Sequence, residues 1–147
     1  MSRILQVFWI LLIPGWVLAH DAQARARKVV TVDLEQAMVL YQQGAVFIDI
    51  RPGREWSWGH VYGAVHLDLY DEFGNLEEKR WPRNIPLVIY DDSALSQNSQ
   101  EAARLAVAWG YRQVFCFQGG YFAWQLADLP QGKGLGGELS VLSAQNR

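Results

Sequence analysis

Apolar positions along this chain fall into short blocks whose period switches between two values. Residues 29–32 read as a short opening strand. Asp33 then N-caps a helix, with Gln36 three residues on in a capping-box arrangement. Leu34, Ala37, Met38 and Tyr41 repeat at i, i+3, i+4 and i+7, one face of a helix, and Gly44 suits its C-terminal stop. Residues 45–50 form an apolar run interrupted only by Asp49. Flanked by turn formers, that run predicts a strand buried on both faces of a parallel sheet. Arg51-Pro52-Gly53 breaks it, and a polar-aromatic stretch over 55–60 leads to a small strand at 64–67. Gly74, Asn75, Pro82 and Pro86 punctuate residues 70–86 as loop. Residues 87–90 are another apolar strand. The helix after it carries Ala102, Leu105, Ala106 and Trp109 on one face and stops at Gly110. A strand at 114–117, a turn at Gly119-Gly120 and a helix over 121–129 before Pro130 complete the pattern. Residues 131–147, Gly-rich and polar, predict a loose tail. Strands alternating with helices imply an α/β fold, a parallel sheet covered on both faces. In such sheets the functional crevice lies at the C-terminal ends of the strands, here the loops after Ile50 and, above all, after Tyr90.

Composition narrows the function classes. The 147 residues are half hydrophobic and under a fifth charged, which fits one globular domain. A net charge of −2, with Lys28, Arg80 and Arg83 scattered, argues against nucleic acid as a partner. Residues 1–24 have leader composition: Arg3 as a positive n-region, then a run over 4–19 that is apolar except for Gln6 and broken by Pro14-Gly15. That run is short for a bilayer span, which needs roughly 20 residues. Ala22 and Ala24 give an A-x-A cleavage pattern, and Val17-x-Ala19 is a second candidate site. The expectation is a signal peptide and an exported, periplasmic or secreted domain over residues 28–130. An uncleaved leader acting as an anchor, the one route to a membrane, and a buried core helix are the alternatives. Cys116 is the single cysteine, so no internal disulfide can form in an oxidising compartment.

Several residues line up in order. Asp49-Ile50-Arg51, Glu55-Trp56, Gly59-His60-Val61 and Gly63-Ala64 resemble the rhodanese motif D-x-R…E-[aromatic]-x-x-G-H-[aliphatic]-x-G-A. Leu87-Val88-Ile89-Tyr90, Ala102-Ala103 with Leu105, Gly110-Tyr111 with Val114, and Gly119-Gly120 with Trp124 match that family's second half. The resemblance spans residues 29–130 and implies the rhodanese-like α/β fold. The same residues have readings that need no chemistry. Asp49 and Arg51 either pair with each other in the interior or bind loop backbone, and in both cases hold the fold. His60 reads as a hydrogen-bonded structural histidine, since no nucleophile or metal is visible beside it. Trp58 occupies a variable slot in the motif, where it either packs locally or lines the crevice.

The resemblance fails at the chemistry. In active rhodaneses the strand matching residues 87–90 is followed directly by a cysteine, in a loop of backbone N–H groups that often includes an arginine. Dipoles at the next helix start stabilise its thiolate. Here Tyr90 is followed by Asp91-Asp92-Ser93-Ala94-Leu95-Ser96-Gln97-Asn98-Ser99, with no cysteine and no arginine. The loop is about two residues longer than the sulfurtransferase version. An aspartate after the tyrosine and a longer loop resemble the non-catalytic N-terminal domain of tandem rhodaneses. A carboxylate offers no covalent S–S intermediate. At about 4 Å it would repel an anionic donor by about 4 kcal/mol at an effective dielectric near 20.

Other nucleophiles fare no better. Cys116, well inside its strand, reads as a small buried hydrophobe. Ser93, Ser96 and Ser99 lack a G-x-S-x-G elbow, and no histidine follows His66 for a Ser…Asp…His order. Asp91 and Asp92 read as capping or solvated loop acids rather than metal ligands, and His20, His60 and His66 lack ligand spacing. The sequence therefore predicts no catalytic residue, no cofactor and no metal. It predicts a module that binds a protein, peptide or small-molecule ligand, with Asp91, Asp92, Ser93, Ser96, Gln97 and Asn98 as the loop equivalent to the active site. The rivals are a sulfurtransferase using Cys116, a hydrolase on the acidic loop, and a structural subunit held by exposed tryptophans.

Overall fold

The computed structural model describes residues 28–134. The leader over 1–24 and the part of the tail beyond 134 lie outside the described residues. The chain order is β1 (Val30–Val32), α1 (Leu34–Gln42), β2 (Val46–Asp49), α2 (Gly53–Trp58), β3 (His60–Val61), β4 (Val65–His66), α3 (Asn75–Glu78), β5 (Pro86–Tyr90), α4 (Asn98–Ala108), β6 (Gln113–Phe117), α5 (Gly120–Leu126) and β7 (Gln131–Gly132). Five strands form a sheet in the order β1-β6-β5-β2-β4, every neighbour parallel. The α/β architecture is the one the alternating pattern implies. No helix among the described residues is long and apolar enough to cross a membrane.

Strand alternation divides the core into two layers. Ile48, Leu87, Ile89, Val114 and Cys116 face one side and pack with Ala102, Ala103 and Ala106 of α4. Phe47, Val88, Tyr90 and Phe117 face the other and pack with Ala37 of α1 and Tyr121 and Trp124 of α5. Trp124 is fully buried, its ring centroid 5.1 Å from Tyr41 and 5.5 Å from Phe47. α1 starts as its sequence requires: the Asp33 carboxylate accepts from the Gln36 N–H, and the Gln36 side chain accepts from the Asp33 N–H.

Three expectations need correction. Residues 70–86 are not all loop, because one helical turn, α3, buries Leu76 beside the buried Phe73. A single turn has no period to read, and burial rather than propensity makes it. The face of α4 is Ala102, Ala103 and Ala106, while Leu105 is exposed and Trp109 sits at the margin against Phe73. The tail is not loose from residue 131: Gln131–Gly132 pairs antiparallel with β3.

Candidate functional site

Parallel strands bring the loops after β2 and β5 to one end of the sheet, where Asp49 and Tyr90 are register partners. Asp49 and Arg51 form a buried pair, 0 % and 3 % exposed, with the Arg51 guanidinium NH2 2.6 Å from Asp49 Oδ2. Arg51 Nε donates to both carboxylate oxygens at 3.0 and 3.2 Å, and the Arg51 backbone N–H donates to Oδ1 at 3.0 Å. The same NH2 donates to the Gly59 carbonyl at 2.7 Å, and the guanidinium carbon lies 4.3 Å from the Tyr121 ring centroid. Burial pulls the Arg51 pKa down, but the hydrogen bond and charge of Asp49 outweigh it and hold the pKa above its ordinary value. Arg51 thus ties β2 to the G-H motif through its Nε and Nη2 donors.

Tyr90, fully buried, accepts from the Val61 N–H at 3.1 Å. Burial and the neighbouring Asp49 charge push its phenol well up, so it stays protonated. His60 stacks on Trp56 with ring centroids 3.4 Å apart and its Nδ1–H donates to the Trp56 carbonyl at 3.0 Å. His66 also stacks on Trp56, with ring centroids 4.9 Å apart, and its Nε2–H donates to the Arg51 carbonyl at 2.7 Å. Trp58 stands apart from this cluster, 67 % exposed, with the Arg54 guanidinium 5.4 Å from its ring centroid.

The loop after Tyr90 is closed on its own carboxylate. Asp91 is buried; its Oδ1 accepts from the Asp92 N–H at 2.7 Å and its Oδ2 accepts a short hydrogen bond from the Ser96 hydroxyl. The Asn98 N–H, in the first turn of α4, donates to Ser96 Oγ at 3.2 Å. The helix N-terminus therefore reaches Asp91 through one serine. The Asp91 and Asp92 carbonyls accept from the Tyr121 and Phe122 N–H groups, both at 2.9 Å. Gly120 permits this approach. Its φ is +62°, and a Cβ there would lie 2.5 Å from the Asp91 carbonyl oxygen.

Of the loop residues singled out in the sequence, Asp91, Ser96 and Asn98 come together. Ser93 contributes its carbonyl, accepting from the Ser96 N–H at 3.1 Å. Asp92 and Gln97 are exposed, and Gln97 caps α4 without a side-chain hydrogen bond. Beneath the loop a cavity of about 360 Å³ is lined by Ser96, Ser99, Arg104, Cys116 and Gln118, among others. Cys116 is buried, and its thiol donates to Ser99 Oγ at 3.3 Å. Burial raises its pKa against the weaker pull of Ser99 and Arg104, which keeps it a thiol. Sequence reasoning missed Tyr121, the residue that joins the two halves of the site. An aromatic one place after a glycine turn looks like any core residue.

The family model for the rhodanese-like domain matches residues 32–127. The chain belongs to the rhodanese-like domain family. Among curated relatives of this rhodanese-like chain, thiosulfate sulfurtransferase GlpE of Pseudomonas entomophila is 32 % identical over 91 residues, covering 62 % of this chain and 80 % of the relative. The same-named protein of Haemophilus influenzae is 33 % identical over 96 residues, covering 65 % and 88 %. The fold is similar to the polysulfide-sulfur transferase of Wolinella succinogenes, with a TM-score of 0.60 at 18 % identity over 84 % of this chain and 94 % of that one. It is also similar to thiosulfate sulfurtransferase from Pseudomonas aeruginosa, with a TM-score of 0.58 at 22 % identity over 71 % of this chain and 20 % of that one.

Proposed function

We propose that this rhodanese-like domain is a non-catalytic binding module that works outside the cytoplasm and takes a protein, peptide or small ligand at the crevice after β5. The observation that carries the reading is Asp91. By the family motif it stands at the nucleophile's place, directly after β5, yet it is acid and has no sulfur. Its carboxylate consumes the Asp92 N–H and, through Ser96, the first turn of α4. Those donors, which could otherwise face an incoming anion, are satisfied from within the chain. An anionic sulfur donor would meet a carboxylate where it needs a thiolate, and that repulsion costs about 4 kcal/mol at 4 Å and an effective dielectric near 20.

A second reading, sulfur transfer through Cys116, draws on the cavity that this thiol lines with Arg104 and on the names of the curated relatives. Its protonated, buried thiol opposes it. A thiosulfate:cyanide sulfurtransferase assay on the protein, with intact-mass measurement for a persulfide, separates the two. The expected result is no turnover and no sulfur adduct. Turnover that Cys116→Ser abolishes would overturn the binding-module reading in favour of the second.

A further inference from the structure

A parallel sheet sorts charges by the connection that carries them. Residues just before a strand sit at its amino end, opposite the crevice. Lys28, Arg80 and Arg83, scattered along the sequence, meet at that end with Lys79 and Arg112. Lys28 precedes β1, Arg112 directly precedes β6, and Lys79, Arg80 and Arg83 lead into β5; these three strands are neighbours in the sheet. The Arg112 N–H donates to the Arg83 carbonyl at 2.8 Å, which holds two of the connections side by side. Aromatic rings rather than acids support the long side chains. Lys79 Nζ lies 5.1 Å from the Trp81 ring centroid, and the Arg83 guanidinium carbon 4.3 Å from that of Tyr111. Ion pairs among the described residues are Asp49–Arg51 and Glu72–His66, so none of these cations has an acid in contact. The acids set against them are Glu77 and Glu78 of α3 and, after α5 on the opposite face of the sheet, Asp128.

The crevice end has the reverse sign. Asp33, Asp68, Asp71, Glu72 and Asp92 stand in the connections that leave β1, β4 and β5, against Arg54 in the first turn of α2. A net charge of −2 thus conceals a bipolar molecule. Where the chain enters the fold bears on what the basic end meets. Residues 1–27 join at Lys28, and Arg25 and Arg27 precede it within a chain reach of about 11 Å. The apolar run over 4–19 ends nine residues before Lys28, a reach of at most about 32 Å. A leader at a bilayer brings this end of the domain to the headgroups, and cleavage after Ala24 leaves the new amino group, Arg25 and Arg27 within the same reach.

We propose that the amino end of the sheet is a docking face for anionic phospholipid headgroups, which seats the domain on a membrane with the crevice after β5 turned away. The inference stands whether the crevice binds or catalyses. Lipid phosphates attract Lys79, Arg80, Arg83 and Arg112 and repel Asp71 and Asp92, so charge sets the orientation as well as the affinity.

Vesicle sedimentation tests this with the chain that begins at Arg25, which removes the leader's own affinity for lipid. That chain keeps the whole sheet and both core layers, all within residues 28–134, and so keeps the fold. Partitioning onto vesicles of phosphatidylcholine with phosphatidylglycerol should exceed that onto phosphatidylcholine alone by at least about tenfold. It should vanish as salt approaches about 1 M, where the Debye length is about 3 Å. Each exposed cation is worth about fivefold, so Arg80→Gln with Arg112→Gln should weaken partitioning by about 25-fold at an unchanged urea midpoint. Arg54→Gln, at the crevice end, should leave it unchanged. Lipids with a quencher on the headgroup should reach Trp81, so Trp81→Phe should remove most quenching of the tryptophan emission. Trp58→Phe, beside Arg54, should keep it. Equal partitioning onto both kinds of vesicle, a double variant that binds as the wild type does, or quenching that depends on Trp58 would each overturn the proposal. So would duplex DNA bound as tightly as the mixed vesicles, which would assign the basic end to nucleic acid.

Discussion

Removing the Arg51 side chain tests what the buried pair is for. Arg51→Ala deletes five contacts at once: the 2.6 Å ion pair to Asp49, the two Nε bonds to its oxygens, the 2.7 Å bond to the Gly59 carbonyl and the cation–π contact with Tyr121. Breaking a fully buried pair costs about 3–5 kcal/mol, because the surviving charge is stranded. One observation pushes towards the lower end. The Arg51 backbone N–H still donates to Asp49 Oδ1 at 3.0 Å in the variant, so the carboxylate keeps one partner. Another pushes upward, since the Gly59 carbonyl loses its donor in a buried setting, worth about 1–3 kcal/mol. About 4 kcal/mol is the resulting expectation. At roughly 4–8 °C per kcal/mol for a domain of this size, the melting temperature should drop by about 16 °C or more. Urea melts of the wild type, Arg51→Ala, Asp49→Asn and the double variant measure it. The double variant should be more stable than the two single losses sum to, because it leaves no orphaned charge. A loss under about 1 kcal/mol for Arg51→Ala, against the range for buried pairs, would refute the reasoning and make Arg51 a group free to meet a ligand.

The remaining predictions are narrower. Gly120→Ala should destabilise by at least about 1–2 kcal/mol from its left-handed backbone alone, and should displace the loop after β5 because the new Cβ meets the carbonyls of Asp91 and Asp92; an unchanged urea midpoint would contradict the close approach. Trp58→Ala should stay within about 0.5 kcal/mol of wild type, as its ring is exposed; a large loss would show that it packs against something. Cys116 should resist a thiol reagent in the native state and label fully in urea, and rapid native labelling would show that the cavity beneath the loop admits reagents to it. Asp91→Cys should restore at most a trace of sulfur transfer, because Asp92 remains beside the new thiol and no arginine stands in the loop; robust turnover would show that loop charge and length matter little.

What the sequence revealed and what it hid divide along a physical line. Residues 45–50 and 87–90 were legible as central strands because parallel strands buried on both faces leave a continuous apolar run, and Asp49 stood out as the one residue breaking it. The helix opened by Asp33 and Gln36 was legible because its cap is local, two side chains within four residues. α3 and β7 were not legible, since each is held by partners far along the chain: the Leu76 carbonyl accepts from the Tyr111 hydroxyl 35 residues away, and Gly132 pairs with His60. Such contacts leave no period in a short segment, and a Gly-rich stretch after Pro130 reads as tail for the same reason that it can lie flat on a histidine. The site shows the same division. The loop after Tyr90 could be recognised as lacking a thiol, because absence of a residue type is written in the chain. That Asp91 would fold inward onto Ser96 and Asp92 could not be read, because the alternative, a solvated acid, uses the same letters. Burial decides between them: the strand end carries Asp91 inside while Asp92, one residue on, is exposed. A carboxylate so placed must find donors, and the donors it finds are the loop N–H and the serine leading to the helix start. The long loop is what supplies that serine, five residues on, so its extra length and its acid are one feature: the length lets the chain satisfy its own buried charge.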